Sequence, residues 1–300
     1  MTPNLFNPYR YVSGAIINAI NMGGNDSSGG AGTNCETYDP SSGWTAKTNF
    51  PAGASMCSVG GNSDNAISAM GGYGNSSYKF YGATDSWSAN LVCSYTSGSS
   101  GGGGTQDNMI AFGGNTGGGG AHAKTTTAEY LGSSWANVGD LAVPRRELGG
   151  GGGDPDNALA VCGEDGSFVD YDSVETWNGS TNAWSTNVTA FPYAFNNGIY
   201  FGTATEGVGG MGDASGTKKS DTYETTDGGA TWTNLQNNTY AAYGLGGAGF
   251  DNTAGLSWCG QVNVSTPYGS TYTNDYSSAT GWSTSGYTYS YSFYQTRGHA

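Results

Sequence analysis

Met109-Ile-Ala-Phe112-Gly113-Gly114, answered downstream by Tyr130-Leu-Gly-Ser-Ser-Trp135, is the stretch that decides how this chain folds. An apolar run ends at a pair of glycines. A polar loop follows, and a strand-like segment bearing Tyr130 then turns tightly into one bearing Trp135. The arrangement recurs along the chain. Trp44, Trp87, Trp135, Trp184, Trp232 and Trp282 are spaced by 43, 48, 49, 48 and 50 residues. An aromatic residue stands before each of them, at Tyr38, Tyr81, Tyr130, Trp177, Tyr223 and Tyr276. The other apolar runs are Ile17–Met22 before Gly23-Gly24, Ala66–Met70 before Gly71-Gly72, Ala158–Cys162 before Gly163, Gly207-Val208 before Gly209-Gly210, and Leu256–Cys259 before Gly260.

After each tryptophan comes a short link, often with proline (Pro51, Pro144, Pro192), and a further strand, as in Ser55–Val59 or Ala241–Leu245. Each unit therefore supplies four strands in 43–50 residues, the period of one propeller blade. Six units fill residues 15–300, which predicts an all-β, six-bladed β-propeller with four-stranded blades. Residues 1–14 are left over as an N-terminal arm. The chain stops where the first strand of another blade would begin. Tyr289–Ala300 is thus expected to give the first blade its missing strand and close the ring, which removes exposed edges.

Composition narrows the function classes. Glycine is 54 of 300 residues, or 18%, against about 7% in ordinary chains. Nine Lys+Arg against 23 Asp+Glu leave a net charge of −14, so no basic face exists to neutralise phosphates, and nucleic-acid binding is excluded. No run approaches about 18 apolar residues, so membrane insertion is not expected. The glycines are clustered and do not recur every third residue, which excludes collagen. An aromatic share of 13% argues against disorder, and the tryptophan period argues against a glycine-rich fibre. The N-terminus lacks a basic start followed by an apolar run, so no signal peptide is expected. Five well-separated cysteines predict neither a disulfide framework nor a zinc site, and Cys162 and Cys259 read as buried core thiols.

The diglycines with spaced Tyr and Trp resemble the kelch repeat. Pro144-Arg145-Arg146 and Arg297-Gly298-His299-Ala300 are similar to the Arg/His element that opens one. The fourth and sixth units depart from the pattern with Cys-Gly, and the second has a shortened loop. Thr225-Thr-Asp227-Gly-Gly229-Ala-Thr231-Trp232 matches the Asp-box found in sialidases and many other propellers. The resemblance implies that Asp227, Gly229, Thr231 and Trp232 build a turn between the third and fourth strands, away from the usual active site. It does not imply sialidase activity: only Arg10, Arg145, Arg146 and Arg297 are present, and the usual N-terminal arginine motif is absent. Copper chemistry of the galactose-oxidase type would need both histidines, His122 and His299, as ligands, and is not expected.

No catalytic residue, metal or cofactor is assigned. The glycine runs Gly101–Gly104, Gly117–Gly120 and Gly149–Gly153 lack the G-K-[ST] ending of a phosphate loop and read as flexible loops. Glu164, Asp165, Asp170 and Asp172, like Asp154 and Asp156, read as solvated loop carboxylates, with Ca²⁺ binding as the alternative. The long loops Asn25–Asn34, Asn115–Lys124, Glu164–Asp170, Met211–Ser220 and Gln261–Gly269 should share one face, and binding residues commonly sit on such loops. Candidate ligand-binding residues there are Tyr73, His122, Lys124, Asp165, Lys218 and Tyr268. A lysine-poor, glycine-rich neutral surface without a signal peptide fits a bacteriophage virion protein, located on the virion surface or extracellularly. The expectation is a non-enzymatic tail, spike or capsid-decoration component. Other virion proteins would be its partners through the arm, and a host surface glycan its ligand. The alternatives are a secreted glycosidase or sialidase-like enzyme, or an extracellular surface or filament protein.

Overall fold

A computed structural model describes residues 18–24, 32–53, 57–117, 122–148, 150–186, 188–249, 251–262, 271–288 and 298–299. Strands form six antiparallel sheets of four, plus a small hairpin pairing Asp213–Ala214 with Thr217–Lys218. The third sheet runs Gly101–Thr105, Asn108–Phe112, Thr127–Leu131, Trp135–Asn137, and the fourth Gly150–Gly153, Asn157–Val161, Val174–Asn178, Ala183–Ser185. The innermost strands of successive sheets pack against one another in a closed circle, from Gly298–His299 through Ser58–Gly61, Gly101–Thr105, Gly150–Gly153, Ile199–Gly202 and Ala242–Gly249. The fold is a six-bladed β-propeller. Gly298–His299 pairs with Ile20–Met22 as the inner strand of blade 1, so the C-terminal strand closes the ring.

Two of the three glycine runs are not loops, and residues 118–120 of the other lie outside the described residues. Gly101–Gly104 and Gly150–Gly153 lie in the inner strands of blades 3 and 4. The reason is crowding at the axis, where a Cβ on Gly103 would stand 2.7 Å from the Gly153 carbonyl oxygen. At Gly103 the inner strands of blades 3 and 4 meet backbone to backbone, which only glycine allows.

Two further features differ from the sequence reading. Each second strand ends at, or in blade 6 runs through, two residues of positive φ: Gly23-Gly24, Met70-Gly71, Gly113-Gly114, Cys162-Gly163, Met211-Gly212 and Cys259-Gly260. The first has φ of 55–66°, which Met and Cys also adopt, whereas the second reaches 84–125° and is glycine in all six. The apparent Cys-Gly departures are therefore conformationally regular, and in blades 2 and 5 the pair is not Gly71-Gly72 or Gly209-Gly210. Strand register also moves two aromatic positions. Phe80, not Tyr81, stands opposite Trp87, and Thr225 holds the corresponding place in blade 5, with Tyr223 two residues before it.

Tryptophans tie five of the six blades to the one before. Indole nitrogens of Trp44, Trp135, Trp184 and Trp282 donate to Thr273, Ser77, Thr127 and Thr222 of the preceding blade at 2.9, 3.1, 2.9 and 3.0 Å. These acceptors hold the same place, three residues before the third-strand residue that aligns with the tryptophan. In blade 1 that place is Cys35, and the Trp87 indole turns to the Thr48 carbonyl instead, at 2.9 Å. In blade 4 it is Val174, and the Trp232 indole nitrogen is buried without a hydrogen-bond partner. All five cysteines are buried and none is in a disulfide, and burial pushes the Cys93 thiol up to about 11.

Candidate binding face

Antiparallel four-stranded blades put the turns between strands 1–2 and 3–4 at one end of the propeller. Loops 2–3 and the links between blades lie at the other. The first end is built of hydrogen-bonded turns. Asp154 Oδ1 accepts from the amides of Asp156 and Asn157, and Asn62 and Thr203 cap the equivalent turns. The Asp-box lies at this end. Asp227 accepts from the Thr231 amide and hydroxyl at 2.8 and 2.7 Å, and Thr225 Oγ1 accepts from the Gly229 amide at 2.8 Å. These bonds hold the Asp227 carboxyl below the usual carboxylate range. A cavity of about 430 Å³ opens here at the axis, lined by turn residues of blades 3 to 6 such as Thr105, Asp154 and Thr203.

The opposite end carries a collar around the axis. Ser99, Glu147 and Asn197 precede their blades' inner strands and Gly244 lies near the start of its own, with φ of 57, 48, 51 and 68°. The amide of Glu147 donates to the Ser99 carbonyl, that of Asn197 to Glu147, and that of Gly244 to Asn197, at 3.0, 2.8 and 2.6 Å. Side chains continue the ring. Asn197 Nδ2 donates to Glu147 Oε2 at 2.5 Å, and Asn196 Nδ2 donates to Asp170 Oδ1 at 2.7 Å. Asp170 Oδ2 accepts from the Ser215 amide at 2.8 Å, which joins the loops of blades 4 and 5. Next along, Tyr243 hydrogen-bonds Gln261, and the Lys218 ammonium lies 5.1 Å from the centre of the Tyr243 ring.

Two neighbouring arginines divide between core and face. Arg145 and Glu175 form an ion pair at 2.6 Å with both side chains 0% exposed. The guanidinium also donates to the carbonyls of Cys162 and Ser173, while Glu175 accepts from the amides of Ala142 and Val143. Arg146 pairs with Glu164 at 2.6 Å, with both side chains almost buried. Glu164 is therefore not a solvated loop carboxylate: burial and the neighbouring Glu147 push it up to about 7, against the pull of Arg146.

Of the sequence candidates, Lys218 belongs to this collar region. Asp165 shapes the blade 4 loop, accepting from the amides of Ser167 and Val169 at 2.6 and 3.0 Å. Tyr73 is 45% exposed and lies against Gly98 and Gly117 in the neighbouring blade. His122 is exposed, and Lys124 is half-buried in the loop of blade 3. Tyr268 and the arm lie outside the described residues. The structure adds Glu147, Asn196, Asn197, Phe168 and Tyr243. The sequence signal for Glu147 and Asn197 is a polar residue just before an inner strand, at a place where the backbone turns left-handed. Among the described residues, no group of three or more His, Cys, Asp or Glu is placed to hold a metal ion, and no helix is long and apolar enough to cross a membrane.

No protein-family model matches the chain, and no curated protein matches it in sequence. Among solved structures it is similar to YjhT, with a TM-score of 0.59 and 13% identity over 71% of this chain and 74% of that one. The likeness is one of fold.

Proposed function

We propose that this chain is a kelch-like propeller serving as a non-enzymatic binding module on a virion surface, with its ligand on the collar face. The observation that carries the binding reading is the convergence of half-buried polar side chains from three successive blades: Glu147, Asp170, Asn196, Lys218 and Tyr243. Donors, acceptors and an aromatic ring on a hydrogen-bonded rim suit a polar ligand such as a host-surface glycan. The virion setting rests on composition: a net charge of −14 and 18% glycine, with basic residues scarce. The arm at residues 1–14 is the proposed docking segment to neighbouring virion proteins.

Two experiments test these parts separately. Purified particles analysed by mass spectrometry should contain the chain in stoichiometric amount, and removal of residues 1–14 should abolish incorporation while the propeller still folds. Recovery only in the soluble fraction would overturn the virion assignment. The purified propeller applied to a glycan array should bind, and an array without signal would overturn the glycan reading. One observation favours a second reading, glycan hydrolysis: Glu164, at about 7, would hold a proton near neutrality beside Glu147. Its ion pair with Arg146 and its burial argue against that role. Turnover of an oligosaccharide, lost in Glu164→Gln, would restore the enzyme reading.

A further inference from the structure

Phe168 stands at the tip of the blade 4 loop with φ of 64°, a conformation that bulky side chains enter only under strain. Its side chain is nevertheless 68% exposed, and Val169 beside it is 54% exposed. The loop fixes the ring in this position. Asp165 Oδ1 accepts the Ser167 and Val169 amides, and the Asp165 amide donates to the Val169 carbonyl at 3.0 Å. Behind the ring, the Arg146 guanidinium carbon lies 4.7 Å from the ring centre, anchored in turn by Glu164. One face of the aromatic ring is thus backed by a cation, and the side chain is held out towards solvent. Backbone strain retained at an exposed aromatic points to a use for that ring.

We infer that Phe168 is the stacking platform of a saccharide site on the collar face, selective for neutral sugars over acidic ones. The inference rests on the reading of that face as a glycan-binding surface. A flat aromatic ring matches the C–H face of a pyranose, and carboxylates beside it accept sugar hydroxyls. Asp165 is in the same loop, and Asp170 closes it in a bridge with Glu164. Selectivity follows from charge. Arg146 is already paired with Glu164, so a sugar carboxylate arriving at the ring meets Asp165 and Asp170 on a chain of net charge −14. A neutral sugar carries no charge for them to repel.

The test uses the full chain with two variants, neutral oligosaccharides and their sialylated counterparts. Phe168→Gly removes the ring while suiting the left-handed backbone, so its thermal midpoint should equal or exceed that of the parent. Phe168→Tyr keeps the platform. The expected result by titration calorimetry is neutral binding at least about tenfold tighter than sialylated binding. Phe168→Tyr should retain this affinity, and Phe168→Gly should lose about tenfold or more without loss of stability. Unchanged affinity in Phe168→Gly, or preference for the sialylated ligand, overturns this inference and leaves the binding face standing. Absence of any glycan binding by the parent chain overturns both.

Discussion

Val174→Thr should stabilise this protein, although it places a hydroxyl in the core. Four of the six blades offer a Ser or Thr hydroxyl to the next blade's tryptophan, and blade 4 offers Val174. The consequence is a buried Trp232 indole nitrogen with no partner. A buried unsatisfied donor costs about 1–3 kcal/mol, and a hydrogen bond formed in its place contributes about 1 kcal/mol net. Against this stands the loss of one buried methyl group, about 0.8 kcal/mol. Val174 is almost fully buried and packs in one cluster with Trp232, so the new hydroxyl has the indole within its own packing shell. The balance is a gain of about 1 kcal/mol, or a rise of roughly 1.5 °C in Tm for a chain of this size.

The assay is urea unfolding followed by tryptophan fluorescence, with two comparisons. Thr222→Val should orphan the Trp282 indole nitrogen and cost about 1–3 kcal/mol. Val161→Thr, fully buried in the same cluster as Val174 but aligned with no tryptophan, should also cost about 1–3 kcal/mol. If Val174→Thr falls as far as Val161→Thr, the indole lock is not a source of stability and the reasoning fails.

Arg145→Met leaves the Glu175 carboxylate buried without its cation and should cost about 3–5 kcal/mol in the same urea assay. Gly103→Ala places a methyl group 2.7 Å from the Gly153 carbonyl oxygen and should cost about 1–3 kcal/mol. Gly286→Ala, with nothing within 4 Å, should change stability by less than about 0.5 kcal/mol. Glu164 binds its proton more tightly folded than unfolded, so its contribution is fully present below pH 4.5 and is lost as pH rises towards about 7. Unfolding midpoints measured across that window should decline less in Glu164→Gln than in the parent.

The period of the tryptophans made the blade count legible, because the strand bearing each of them recurs once per blade. Local chemistry was harder to place. Tyr81 and Tyr223 stood near the expected spacing, but register puts Phe80 and Thr225 in line with the tryptophans. Gly101–Gly104 and Gly150–Gly153 carry no side-chain pattern, so their strand character comes from pairing with the second strands of their own blades. The collar was hidden for a related reason. Glu147 and Asn197 are 50 residues apart in sequence, and the bond between them exists only after blades 4 and 5 have packed together.

The division between Arg145 and Arg146 shows how such a face can change without endangering the fold. Arg145 turns inward and, through Glu175, fixes the amides of Ala142 and Val143, so the link entering blade 4 is anchored from below. Arg146 turns outward under Phe168 and shapes the loop above. The blades themselves are held by indole locks and by close backbone approach at the axis, neither of which uses loop side chains. Substitutions at Phe168 or Lys218 should therefore alter recognition with little effect on stability, whereas Arg145, one residue from Arg146, tolerates almost none. The boundary between the fixed and the variable parts of this protein runs between two adjacent arginines.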